Sequence, residues 1–129
     1  MLLRATENCR YGMPVYYVTP YFLKPEKAVA FRDWLNSAKA KKLIKAYEKE
    51  TGVKYIGTFF SVLGFGDYDA EDWYEMKNYA AFDRIRESKV QNEIFDEVFP
   101  FLDLTHYAPS RLYRSASDVM IYFPKKKEK

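Results

Sequence analysis

Apolar positions along the chain change period several times, and each change marks an element. Residues 1–13 show no sustained period and read as an N-terminal extension. Pro14 to Phe22 (PVYYVTPYF) is rich in β-branched and aromatic residues and predicts a strand. Its alternation separates Val15, Tyr17, Thr19 and Tyr21 from Tyr16, Val18, Pro20 and Phe22. Pro20 cannot donate to a ladder, which predicts an edge position or a break near the strand's end. Pro25 suits a first helical position, where its missing N–H is not needed. Ala28, Phe31, Leu35 and Ala38 then follow at helical spacing. Lys41 and Lys42 interrupt this stripe before Leu43, Ile44 and Tyr47 resume it, predicting a kink or break between Asn36 and Lys39. Gly52 supplies the left-handed position that ends such a helix.

Val53 to Gly64 predicts a second strand, Phe65 to Glu71 a turn, and Asp72 to Lys77 the returning strand of a hairpin. Asn78 is a good N-cap for a helix starting at Tyr79, along which Phe82, Ile85, Lys89, Val90, Ile94, Val98 and Phe101 or Leu102 follow at helical spacing. Ser88 predicts a bend in it, and Pro100 a weakened final turn. Arg111 to Ser115 predicts a fourth strand, Val119 to Phe123 a fifth, and Pro124 to Lys129 a solvated basic tail. The order is β-α-β-β-α-β plus a terminal strand, an α+β ferredoxin-like arrangement with an antiparallel sheet, in one domain spanning residues 14–123.

Two helices on one face of such a sheet leave the other uncovered, and both alternations of the first two strands carry rings. Aromatic residues are 19% of the chain, so this face is too apolar to stand in water. One covering is a second copy, giving a homodimer joined sheet to sheet into an α/β barrel, with Val119 to Phe123 extending or exchanging onto the partner. The other is single-stranded RNA stacked on the rings. For that, the nearest motif, Gly64-Phe65-Gly66-Asp67-Tyr68, lacks the preceding base and puts Asp where an aromatic belongs. Asp67, Asp69, Glu71 and Asp72 would also repel phosphate, so nucleic acid is disfavoured as a partner.

Composition narrows the chemistry. The chain has 129 residues with 48% hydrophobic and 30% charged, a globular balance. Its longest apolar runs, such as Ile56 to Leu63, fall far short of the roughly 18 residues that span a bilayer, so no membrane partner is expected. Cys9 is the lone cysteine and His106 the lone histidine, which excludes an internal disulfide and His-pair or Cys-rich metal sites. MLLRATENCRYG does not read as a secretory signal, and a cytoplasmic protein is expected. The net charge of +3 is mild. Bases dominate from Lys24 to Lys54 and acids from Asp67 to Asp103, either as two solvated helix faces or as complementary charges between helices or protomers. Plentiful charge with Gln91 as sole glutamine resembles proteins of heat-loving organisms.

The strand-to-helix passage Trp73-Tyr74-Glu75-Met76-Lys77-Asn78-Tyr79-Ala80-Ala81-Phe82, followed by Ser88-Lys89-Val90 to Phe101-Leu102, resembles the dimeric α/β-barrel superfamily. That superfamily includes NIPSNAP-like proteins, antibiotic-biosynthesis monooxygenases, muconolactone isomerases and haem-degrading enzymes. The resemblance implies the ferredoxin-like fold and a homodimer, and no particular reaction. Haem-degrading members would place a histidine ligand on the second long helix, whereas Val90 to Phe95 contains none. In cofactor-free monooxygenases and isomerases of this kind, a cavity between sheet and helices holds a flat aromatic or lactone substrate.

Tyr17, Tyr21, Tyr55, Tyr74 and Trp34 are the residues expected near such a cavity, as walls with hydroxyl and indole donors or simply as core aromatics. Asn36 joins them if the helix irregularity exposes polar groups to a ligand. His106 is the candidate general base, with Asp103 placed to orient it, and Tyr17 and Tyr74 are its candidate catalytic companions. Asp67, Asp69, Glu71 and Asp72 depart from calcium-loop spacing and read as a solvated hairpin tip. Neither metal nor organic cofactor is expected. Two readings lead: a small-molecule site in each protomer, and a non-catalytic dimer whose cavity is filled by its own aromatics.

Overall fold

A computed structural model describes residues 14–62, 66 and 68–114 of the chain. Four strands, β1 (Val15–Tyr21), β2 (Lys54–Phe60), β3 (Ala70–Met76) and β4 (Arg111–Arg114), form one antiparallel sheet in the order β2-β3-β1-β4. Helices α1 (Ala28–Leu35) and α2 (Ala38–Thr51) connect β1 to β2, and α3 (Ala81–Arg86) and α4 (Lys89–Val98) connect β3 to β4. The element order and strand order together define the ferredoxin-like fold. The N-terminal extension, the strand proposed at 119–123, the basic tail and most of the Gly64–Asp67 turn lie outside the described residues.

Local chemistry explains most boundaries. The first crossover breaks at Asn36 and Ser37, where the Ser37 Oγ accepts from the Ala40 N–H (3.1 Å) and starts α2 afresh. Gly52 closes α2 at φ 75°, the left-handed region that glycine enters without a Cβ clash. The second crossover breaks in the same way. The Ser88 Oγ accepts from the Gln91 N–H (2.9 Å) as N-cap of α4, and Glu50 of α2 receives the Ser88 hydroxyl and the Lys89 and Val90 N–H groups.

Three expectations need correction. The helix does not begin at Tyr79: Asn78 Oδ1 accepts from the Ala80 N–H (3.0 Å) within a turn, and helix starts only at Ala81. β3 begins at Ala70, not Asp72, because Ala70 and Glu71 pair with Phe60 and Phe59 on one side and Tyr21 and Pro20 on the other. β1 is a central strand, not an edge. Pro20 is tolerated because β4 pairs with β1 only from Val15 to Val18 and pairing resumes only where Leu23 bridges Leu102, so Pro20 lies in the gap near the strand's end that the sequence offered as the alternative.

One face of the sheet carries the helices. Val15, Tyr47, Val53, Met76, Ala81 and Ile85 make one buried apolar cluster, and Leu23, Phe31 and Ala70 make a second. Phe31 anchors the second, with the rings of Tyr21, Phe60 and Phe101 at 5.9, 6.0 and 5.5 Å. No described helix covers the other face. There Trp73 lies between Tyr16, Phe59 and Tyr113, with ring centroids at 6.2, 6.5 and 5.9 Å. An aromatic second face is therefore present, as the alternation requires.

Candidate functional site

Between the two apolar clusters the helix layer stands off the sheet and encloses a cavity of about 310 Å³. Its floor is the helix-side face of β1, β2 and β3, with Tyr17 and Tyr21, Tyr55 and Thr58, and Asp72 and Tyr74. Its roof is α4, through Gln91, Ile94, Phe95 and Val98, one helical face at i, i+3, i+4 and i+7. None of the residues of α4 is fully buried. Val90 and Ile94 pack against the first apolar cluster and Val98 against the second, and between these contacts the helix leaves the space open. The volume sits at the lower end of the range for small-molecule pockets, roughly 300–1,000 Å³.

The floor has a polar centre. Asp72 Oδ1 accepts from the Tyr21 hydroxyl (2.7 Å) and the Thr58 hydroxyl (2.6 Å), and Oδ2 accepts from the Tyr74 hydroxyl (3.2 Å). Because Thr58 gives its only proton to Asp72, the Tyr55 hydroxyl bonded to it must be the donor of that pair. Four hydroxyls thus converge directly or in relay on one carboxyl. Asp72 is surrounded by protein, and the part of its surface that stays accessible faces the cavity. Oδ2, with one longer bond, keeps acceptor capacity for a further donor.

Burial pushes the Asp72 carboxyl above the ordinary carboxylate range, although the hydroxyls of Thr58, Tyr21 and Tyr74 oppose it. Burial and then the Asp72 charge push the Tyr21 and Tyr74 phenols up, and burial pushes Tyr55 up to about 12. The phenols therefore stay protonated at neutral pH and act as donors. A carboxyl with raised affinity for protons, ringed by hydroxyls that can reorient, is suited to take a proton from an enclosed molecule and return it.

The structure gathers five of the residues singled out in the sequence, Tyr17, Tyr21, Trp34, Tyr55 and Tyr74, around this cavity. Asn36 lies instead in a neighbouring groove. His106 does not share the concave space of Tyr17 and Tyr74. Its side chain is 64% exposed in the loop after α4, bonded through Nδ1 to Asp103 Oδ2 (3.1 Å) and packed beside Phe22 (5.2 Å between rings).

The solvated-tip reading fails for Asp72, which points inward, and Asp69 is also engaged, accepting from the Leu23 N–H (2.9 Å). Strand alternation back from Tyr74 was the available signal for Asp72. Thr58 had none, because a bulge between Tyr55 and Gly57 puts Tyr55 and Thr58 on one face despite their spacing. Among the described residues there is no group of three or more side chains of metal-binding type.

At the cavity's edge Glu97 ties the layers together. It accepts from Trp34 Nε1 (3.0 Å) and Lys39 Nζ (2.7 Å), and Lys39 and then Trp34 hold its carboxyl below the usual range. Here the basic first crossover meets the acidic second one as an ion pair between helices. No described helix is long and apolar enough to cross a membrane.

No protein-family model matches the chain, and no curated protein does. Solved structures do. A conserved protein from Methanosarcina mazei Go1 is 23% identical with a TM-score of 0.56, over 81% of this chain and 94% of that one. A NIPSNAP family protein of unknown function from Agrobacterium tumefaciens is 14% identical with a TM-score of 0.58, over 83% and 94%. A NIPSNAP-like domain protein from Burkholderia xenovorans is 16% identical with a TM-score of 0.51, over 81% and 84%. At these identities the likeness is one of fold, and the chain has the ferredoxin-like fold that solved NIPSNAP-like proteins share.

Proposed function

We propose that the chain binds a small, flat, largely apolar molecule between sheet and helices, and that Asp72 exchanges a proton with it. The observation that carries this is a carboxyl gripped by three hydroxyls on the floor of a largely apolar cavity, where burial raises its proton affinity. The molecule's apolar body fills the space between α4 and the sheet, and its hydroxyl or activated C–H meets Oδ2. Tyr21, Thr58 and Tyr74 orient the carboxyl and stabilise its charge when the proton leaves. We propose further that the helix-free face is covered by a second copy, since Phe59 and Tyr113 on it are 50% and 42% exposed around Trp73. Lys54 opposite Glu75, together with Glu71 and Arg111 elsewhere on it, gives that face charges of both signs, which a two-fold axis can pair.

Calorimetric titration with 2-naphthol tests the site. One saturable site per chain is expected, weakened about tenfold by Asp72→Asn through loss of a hydrogen bond to a charged group. Ile94→Trp, which fills the cavity from its roof, abolishes it. A folded wild-type chain that takes up no naphthol would leave the non-catalytic reading.

A further inference from the structure

The cavity is not closed on all sides. Leu35, Ile44, Tyr55 and Thr58 line it and also line a second depression, an open groove of about 730 Å³ between the α1–α2 break and β2. The two spaces adjoin at these four residues, with the Tyr55–Thr58 pair at their boundary. The groove differs from the cavity in kind, because Arg32, Lys41 and Lys45 face it. Lys41 and Lys45 are one helical turn apart on α2, and Arg32 reaches toward β2 with its guanidinium carbon 6.0 Å from the Phe60 ring centroid. Among the described residues none of these three cations has an acidic partner within ion-pair distance. The one carboxylate on the groove, Glu48, has Oε2 engaged by the Tyr55 N–H (2.9 Å).

We propose that this groove is an anion subsite, and that the natural ligand is an amphipathic acid: a flat apolar body in the cavity joined by a short tether to a carboxylate held by Arg32, Lys41 and Lys45. The proposal rests on the cavity being a ligand site and adds the chemical class of the ligand. Three like charges brought onto one groove repel one another and gain from an anion among them. The Tyr55–Thr58 pair separates that anion from Asp72, so the ligand's negative end and the carboxyl on the cavity floor do not meet. Asn36 also lines the groove, where one amide N–H donates to the Arg32 carbonyl (2.9 Å) and the second remains as a donor for the anion.

Two probes with one body separate the subsite from the cavity: 4-(2-naphthyl)butanoate and its neutral analogue 4-(2-naphthyl)butan-1-ol, titrated calorimetrically into the full chain at low salt. The acid is expected to bind about tenfold tighter, the scale of two or three solvent-exposed charge contacts. Lys41→Gln with Lys45→Gln on these surface positions should erase that preference while leaving the alcohol's affinity within about twofold. Equal affinities in the wild type, or a preference that survives the double substitution, overturns the subsite and leaves the cavity reading standing. Failure of both probes to bind overturns the cavity reading itself.

Discussion

Both faces of the sheet carry rings and put them to different use. On the helix-free face, Trp73 packs with Tyr16, Phe59 and Tyr113, and its indole N–H is satisfied locally by Glu71 (3.0 Å). On the helix side, Tyr21, Tyr55 and Tyr74 turn their hydroxyls toward Asp72, directly or through Thr58, and leave space above it. The first arrangement is the one proposed to meet a second copy, and the second the one proposed to take a molecule.

The largest effect should come from removing the hub. Asp72→Ala leaves the Tyr21, Thr58 and Tyr74 hydroxyls without their acceptor and should cost about 3 kcal/mol, each orphaned buried donor costing at least about 1. Urea unfolding measures it, and a loss below that of an ordinary surface substitution would remove Asp72 from the centre of the account. Next is the opposite face. Trp73→Glu should convert a dimer to a monomer in sedimentation at micromolar protein, while Trp73→Ala should weaken association by about 2 kcal/mol or more. A wild-type monomer would end the pairing proposal without touching the cavity. Ser88→Ala removes the cap of α4 and should cost about 1 kcal/mol. Because α4 is the roof, 2-naphthol should restore part of that loss, whereas Ser37→Ala, of similar cost, lies under α2 and should respond less.

The smallest effect is in pH dependence. Asp72 binds its proton more tightly folded than unfolded, so it favours the native state least once both forms are ionised. Stability should fall as pH rises from the ordinary Asp range through the raised value and then level off. Asp72→Asn should flatten that segment of the profile. A wild-type curve that instead rises there would mean the three hydroxyls outweigh burial.

Much of this was legible in the sequence. Two periods, turn chemistry and Gly52 sufficed for the element order, and an arithmetic excess of rings sufficed for an aromatic second face. The residues misread have separate reasons. Asp72 sits next to turn-forming acids, and composition drew it into their cluster, although counting back two from Tyr74 aligns it with the helix side. Thr58 depends on the bulge at Ile56, which shifts the register by one and leaves no mark in the residue types. His106 drew attention as the sole imidazole, yet rarity in composition has no bearing on where a loop side chain points. Both helix breaks were legible, between Asn36 and Lys39 and at Ser88; that Ser37 and Ser88 cap the restarted helices was not read.

The most direct test of the central claim is the carbon-13 resonance of the Asp72 carboxyl, followed through a pH titration with and without 2-naphthol. The account predicts a midpoint above the ordinary 3.8 for Asp and a shift of the resonance when naphthol enters. A midpoint at or below 3.8, with a resonance indifferent to naphthol, would contradict it.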